Sequence, residues 1–219
     1  MDSVSGVGVI DKAARLLQAL RERPLDLAEL QQASQLPRAT AHRLVVALEQ
    51  HHLVRRDGQG RFCLGFELVA LGRIAAEQFG LGDVAMPALQ RLRDACGESV
   101  QLFVREDDAR RCVISLQSPH ALRWIVPEGS LLPLEMGSAG RVLGGAPASD
   151  AGWVESVEER EPGVASVSAP VVDRAGRVIA AVSVSGPVER LTRSPGARFG
   201  ADVVTAGRAI ASAVATTLR

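Results

Sequence analysis

What this chain of 219 residues has little of narrows its class before any motif is considered. It holds only three cysteines, Cys63, Cys96 and Cys112, odd in number and irregularly spaced. That argues against a disulfide framework or a thiolate metal site, and three buried free thiols are expected. The four histidines, His42, His51, His52 and His120, show no ligand pattern, so no metal and no cofactor is expected. Long apolar runs are missing too. The least polar one, VIAAVSVSGPV at 178–188, is too short to span a bilayer, and MDSVSGVGVIDKAAR lacks a basic segment leading into an apolar one. The expectation is a cytoplasmic protein without a membrane. Charge of one sign is also absent, with 25 basic residues against 25 acidic ones, so any nucleic-acid footprint has to be local.

Catalytic patterns are scarce. SGVG (5–8) precedes a helix with no strand before it, and GSAGRVLGG (137–145) lacks the lysine and hydroxyl pair of a phosphate-binding loop. No serine sits in a nucleophile elbow, no Cys/His pair has supporting context, and Glu158, Glu159 and Glu161 read as a solvated charged loop. No catalytic residue is expected. A small-molecule enzyme is the rival class that these absences set aside.

What is present begins at LAELQQASQLPRATAHRLVVALEQHHLV (27–54), two short amphipathic helices joined by a tight turn. Pro24 closes a preceding helix, and Asp26 with Glu29 three residues on forms a capping box. Leu27, Leu30 and Ala33 form the inward stripe of the first helix. Gln35 and Leu36 make the turn. Pro37, with φ preset and no amide hydrogen to lose, opens a second helix that runs to about His51. On a helical wheel Ala41, Leu44, Val45 and Leu48 share one face. Ala39, His42, Arg43 and Val46 point the other way, with Arg38 and Thr40 at the borders. Short side chains with one Arg and one His suit a helix whose first turns approach base edges in a major groove. An ordinary helical hairpin with exposed cations is the alternative.

LVRRDGQGRFCLG (53–65) has two short runs around Asp57-Gly58-Gln59-Gly60, the pattern of a β-hairpin and therefore of a wing. Arg55, Arg56 and Arg61 lie on it, within reach of phosphates or a minor groove. Residues 38–61 hold five Arg against Glu49 and Asp57, so the charge is concentrated where a DNA footprint needs it.

A first helix over 9–20, with Ile10, Ala13, Leu17 and Leu20 on one face, completes a three-helix core. FELVALGRIAAEQF (66–79) is helical but apolar on more than one side, as in a linker helix packed against something besides its own domain. From Gly82 an amphipathic helix carries Val84, Leu89, Leu92 and Cys96. Strand-like runs follow at 99–106, 110–117 and 122–128. A helix spans roughly Ser138 to Gly144, two alternating runs flank Asp173–Gly176 as a hairpin, and a helix over about 197–217 closes the chain. Helices flanking an antiparallel sheet make an α+β domain. The expected division is 1–65, 66–80 and 81–219.

Over nearly its full length the chain resembles IclR-type transcriptional regulators. GVGVIDKAARLL, LPRATAHRLVVALEQHHLV, GRFCLG, LPLEMGSAGRVL, EREPGVASVSAPVVDRAGRVIAAVSVSGP and the terminal helix carry the resemblance. EREPGVASVSAPV and AVSVSGPVERLTR match best the actinobacterial members linked to amino-acid metabolism, including leucine biosynthesis. The resemblance implies an N-terminal winged helix-turn-helix, a dimerising linker helix and a C-terminal GAF-like effector domain. It also implies homodimers or tetramers on palindromic double-stranded operators.

The family's effector site, carried over, falls on the backbone amides of Ser138 and Ala139 at a helix N-terminus, which favour an anion. Ser166, Ser183 and Ser185 would supply hydroxyls, with Ser156 and Val164 nearby. Serines alternating on two strands share a face, which fits a polar pocket, although the same small residues also suit close packing under a helix. Before GWVESVEEREPGV the family usually carries an extra helical segment. Here there is only APASDA, so a pocket shortened around 145–153 is expected. A regulator that binds DNA constitutively, without sensing a small molecule, is the alternative.

Overall fold

Two compact units, Met1–Gln78 and Phe79–Arg219, divide the chain. The structure, a computed structural model, describes residues 7–146 and 149–217, with the side chains of 76–79 and 217 left aside. The readings of residues 1–6, and of 147–148 within APASDA, lie outside the described residues.

In the first unit α1 (Gly8–Ala19), α2 (Leu27–Ser34) and α3 (Arg38–Gln50) precede a hairpin of β1 (Val54–Arg56) and β2 (Phe62–Leu64). The start of α2 is fixed by its cap. The Asp26 carboxylate accepts from the Ala28 and Glu29 amides at 2.8 and 2.9 Å, and Glu29 accepts from the Asp26 amide at 2.9 Å. Gln35 takes the left-handed conformation at φ 55°, which turns the chain sharply enough to bury Leu36 between the two helices. Leu16, Leu20, Leu25, Leu30, Leu36, Ala41, Val45, Leu48, Val54 and Phe62 form one core. Leu25 exchanges backbone hydrogen bonds with Phe62, tying the base of the hairpin to the chain before α2.

Two expected stripes are corrected. Ile10 is exposed, and the buried position of α1 is Leu16. Ala33 is likewise exposed, while Ser34 is buried, its hydroxyl donating to the Leu30 carbonyl at 2.6 Å. A serine can enter the core when its own helix supplies the acceptor. Next comes α4 (Phe66–Phe79), the helix read as a linker. Phe66, Val69, Leu71 and Ile74 all stand exposed on it.

The second unit has α5 (Leu81–Cys96), β3 (Ser99–Glu106), β4 (Ala109–Leu116), β5 (Leu131–Pro133), α6 (Ser138–Leu143), β6 (Val154–Val157), β7 (Val164–Val172), β8 (Val178–Pro187), α7 (Val188–Leu191) and α8 (Pro195–Thr217). The six strands form an antiparallel sheet in the order β5-β4-β3-β8-β7-β6. Alternation sends Val100, Leu102, Ala165, Val167, Ala169, Val171, Ala180, Val182 and Val184 to one face, where α5 and α8 cover them. Gln101, Phe103, Ser166, Ser168, Ala181, Ser183 and Ser185 alternate with them, and this opposite face lies under α6. The helices close on the sheet through small residues. A Cβ at Gly196 or Gly200 of α8 would overlap the indole of Trp153, and one at Gly207 would come within 2.7 Å of the Pro170 carbonyl oxygen.

The run 122–128, expected as a strand, is irregular, and the strand that pairs with β4 is Leu131–Pro133. Between them Gly129 turns the chain at φ 77°, and the Gly129 and Ser130 backbone bonds to Cys112 bring the chain to the sheet edge only there. The short strand β6 was not anticipated. Cys63 and Cys112 are buried, but Cys96 is only half-buried.

Candidate functional site

Two surfaces carry the residues singled out by the sequence, one in each unit. In the first, α3 exposes Arg38, Ala39, His42 and Arg43, with Thr40 and Val46 half-buried beside them and Ala41, Val45 and Leu48 inward. Arg38, His42 and Arg43 have no hydrogen-bond or ion-pair partner among the described residues. A cation left unpaired on a small-residue face is available to a polyanion.

The wing arginines differ from these. Arg61 pairs with Asp57 at 2.8 Å, and its amide and that of Gln59 both donate to the same carboxylate at 2.9 Å. Partial desolvation works against ionisation of Asp57, but these hydrogen bonds prevail and hold its carboxyl below the ordinary value. Arg56 lies 4.1 Å from the Phe62 ring centroid and pairs with Glu49 of α3 at 3.2 Å. Two of the three wing cations therefore shape the hairpin itself. Arg55 makes a cation–π contact with Phe66 at 4.9 Å and leaves its guanidinium without an ion pair among the described residues.

In the second unit Ser138, Ala139, Ser156, Val164, Ser166, Ser183 and Ser185 all line a single cavity of about 40 Å³ between the sheet and α6. Strand alternation puts the serines there, because the valines and alanines between them fill the opposite core. The Ser138 hydroxyl is 2.7 Å from those of both Ser166 and Ser168. With six residues, α6 offers local amides rather than a long helix dipole. The Gly137 amide before it is already engaged, donating to Glu159 at 3.0 Å, and Glu159 also pairs with Arg141 at 3.1 Å.

The acidic run is solvated as expected at Glu159 and Glu161, which are exposed, and it also borders the cavity. Glu158 accepts from the Gly163 amide at 3.0 Å and pairs with Arg193 at 2.9 Å, which together hold its carboxyl below the ordinary range. Glu159, Arg160 and Glu161 line the cavity, and the Arg160 guanidinium lies 5.2 Å from the Trp124 ring centroid.

Sequence reasoning missed Gln101, Phe103, Arg110, Trp124 and Val126, which complete the lining. Arg110 is buried. It donates to the carbonyls of Pro133 and Met136, the latter at 2.7 Å, and stacks 5.4 Å from the Phe103 centroid. Burial, then the nearby Arg160 charge, lowers its pKa to about 10, so it stays protonated at neutral pH. A charged residue inside an otherwise apolar strand pattern was the one available signal.

These features define a winged helix-turn-helix DNA-binding protein with a separate α+β unit built around a polar cavity. The pattern of the family described as IclR helix-turn-helix domain matches residues 9–58. That described as bacterial transcriptional regulator IclR C-terminal matches residues 74–151 and 146–212, two pieces that meet where the APASDA segment lies. The chain belongs to the IclR family of bacterial transcriptional regulators. The glycerol operon regulatory protein of Streptomyces griseus is 29% identical over 244 residues, covering 95% of each chain. The transcriptional repressor IclR of Escherichia coli is 24% identical, covering 92% of this chain and 88% of that one. Among solved structures, an IclR homologue of Microbacterium hydrocarbonoxydans complexed with 4-hydroxybenzoate has a TM-score of 0.80 at 20% identity, over 95% of this chain and all of that one. The protein is a DNA-binding transcriptional regulator and not an enzyme.

Proposed function

We propose that the protein is a homodimer, or a tetramer, reading a palindromic operator through α3 and the wing, and that a small organic anion in the cavity modulates it. The observation that carries the DNA-binding half is the exposed, unpaired trio Arg38, His42 and Arg43 on a face of small residues. In this reading His42 and Arg43, with Arg38, Ala39 and Thr40, approach bases or phosphates, while Arg55, Arg56 and Arg61 support the backbone contact from the wing. One head reads a short half-site. Two heads about 34 Å apart meet successive major grooves on one side of the duplex, which is why dimerisation belongs to the mechanism. The exposed apolar side chains of α4, Phe66, Val69, Leu71 and Ile74, support that pairing.

The effector half rests on seven small or polar residues converging on one cavity, and on the 4-hydroxybenzoate complex of the Microbacterium homologue. The motifs EREPGVASVSAPV and AVSVSGPVERLTR, which resemble actinobacterial members linked to amino-acid metabolism, support control of amino-acid or related metabolic genes. A second reading, a constitutive regulator, is favoured by one observation. The cavity leaves room for only about three waters, and its Gly137 amide is already held by Glu159.

A gel shift with the protein's own upstream intergenic DNA against a scrambled competitor tests both halves, with and without a panel of amino acids, keto acids and aromatic acids. Specific binding changed by a compound supports the full reading. Specific binding indifferent to the whole panel supports the constitutive one, and absence of specific binding refutes the operator claim.

A further inference from the structure

Residues 38–61 contain five arginines and two acids, and both acids sit on wing arginines, Glu49 on Arg56 and Asp57 on Arg61. Asp57 has a structural duty besides, since it accepts from the Gln59 and Arg61 amides and so closes the hairpin turn. Glu49 has none. Its carboxylate, on the last turn of α3, has one partner among the described residues, the Arg56 Nε at 3.2 Å. Both side chains remain partly open to solvent, and an ion pair so placed adds little to stability. On a surface that meets a polyanion an acid also costs affinity, because it repels every phosphate it approaches. Arg56 is held from three directions: by Glu49, by the Phe62 ring, whose centroid lies 4.1 Å from the guanidinium, and by the Gly60 carbonyl, which accepts from Nη1 at 3.2 Å. The bridge therefore ties α3 to the wing and cancels one of the wing's cations.

Resting on the operator reading above, we infer that Glu49 is a specificity-determining residue of DNA binding, acting by keeping Arg56 off the phosphates of DNA that α3 does not recognise. Phosphates are alike on every sequence, so each free cation strengthens wrong sites as much as right ones. With Arg56 and Arg61 paired, Arg38, Arg43 and Arg55 are the arginines left for the backbone of a nonspecific duplex, and further affinity has to come from the bases. The same bridge holds β1 against α3, so on the operator the wing is already placed when the base contacts form. Loss of the Glu49 charge offers both kinds of DNA one more cation, but only the operator forfeits that placement.

Fluorescence anisotropy of the full-length protein over a salt series, on a duplex from its own upstream intergenic DNA and on a scrambled duplex of equal length, tests the assignment. Glu49→Gln, close in shape and without charge, should bind the scrambled duplex about three- to tenfold more tightly, with a salt slope steeper by about one. Its affinity for the upstream duplex should stay within about twofold of the wild type, so the preference between the two falls. Replacing Arg56 as well, in Glu49→Gln/Arg56→Gln, should return the scrambled-duplex slope to its wild-type value, which a general loosening of the wing would not do. Glu49→Asp, which keeps the charge, should keep the wild-type slope, with melting temperature reporting that each variant is folded. A slope unchanged by Glu49→Gln, or a gain or loss of affinity equal on both duplexes, overturns the assignment and leaves the operator reading standing. A wild type that does not prefer the upstream duplex overturns both.

Discussion

A single arginine on α3 carries the sharpest expectation. Arg43 is exposed, unpaired among the described residues, and one turn after Ala39 on the face that the core does not use. Arg43→Ala should cost roughly 1 to 3 kcal/mol of operator affinity and relax preference at one base position if it reads a base. If it holds a phosphate, the loss is uniform across sequences and the salt slope falls by about one. Fluorescence anisotropy over a salt series, with single-base operator variants, separates the two, and unchanged affinity in both series rules out the contact. Asp57 makes a different kind of residue-level case. It touches no DNA in the reading above, yet it accepts from the Gln59 and Arg61 amides and pairs with the Arg61 side chain. Asp57→Ala should loosen the wing and lower affinity for all sequences alike, visible as faster amide exchange at residues 58–61 before any change in global stability.

At the scale of elements, α4 and α8 are the informative pair. The exposed apolar side chains of α4 predict that Val69→Glu shifts sedimentation velocity from dimer to monomer while the circular dichroism spectrum is retained. A dimer that persists would move the pairing surface elsewhere. In α8 the indole of Trp153 occupies the space a side chain would take at Gly196 and Gly200. Gly200→Ala gains about 1 kcal/mol of helix propensity, and overpacking against the ring costs about 1 to 3 kcal/mol, so a lower melting temperature is expected. These two helices also show what the sequence made legible. The spread of apolar residues over more than one side of 66–79 was legible, and Phe66, Val69, Leu71 and Ile74 stand exposed there. The slot for Trp153 was invisible, since a glycine's close approach depends on what faces it. The strand expected over 122–128 failed for a related reason: alternation describes a chain that can pair, but the turn at Gly129 decides where it reaches the sheet edge. In the cavity the serines were reached through the family resemblance, and strand alternation agrees with it, since Ser166 on β7 and Ser183 and Ser185 on β8 fall on one face. Gln101 and Arg110 were not, because β3 and β4 read as ordinary core strands.

For the molecule as a whole, pH stability follows from groups whose environments move their pKa values. Burial pushes the Cys96 thiol up to about 11 and that of Cys112 to about 12, against an ordinary 9.0. Below pH 9 both states hold these thiols neutral. Above it the unfolded chain ionises first, so stability should fall progressively from pH 9 through 11 to 12, and Cys112→Ala should blunt that fall. In acid the sign reverses. Asp57, Glu106, Glu158 and Asp173 are held below their ordinary 3.8 or 4.5, so their contribution is present above that range and drains away as pH drops through it. Denaturant titrations at closely spaced pH values check both limbs. The sheet order adds a consequence in time. Its centre joins β3 to β8, with Ser99 paired to Ser185, so the second unit cannot close until almost the whole chain has been made. At about 5 to 20 residues per second, the first unit leaves the ribosome with every strand and helix of its core in hand while β3 waits on the order of ten seconds for its neighbour. During synthesis the winged helix-turn-helix unit is thus a finished object before the second unit exists.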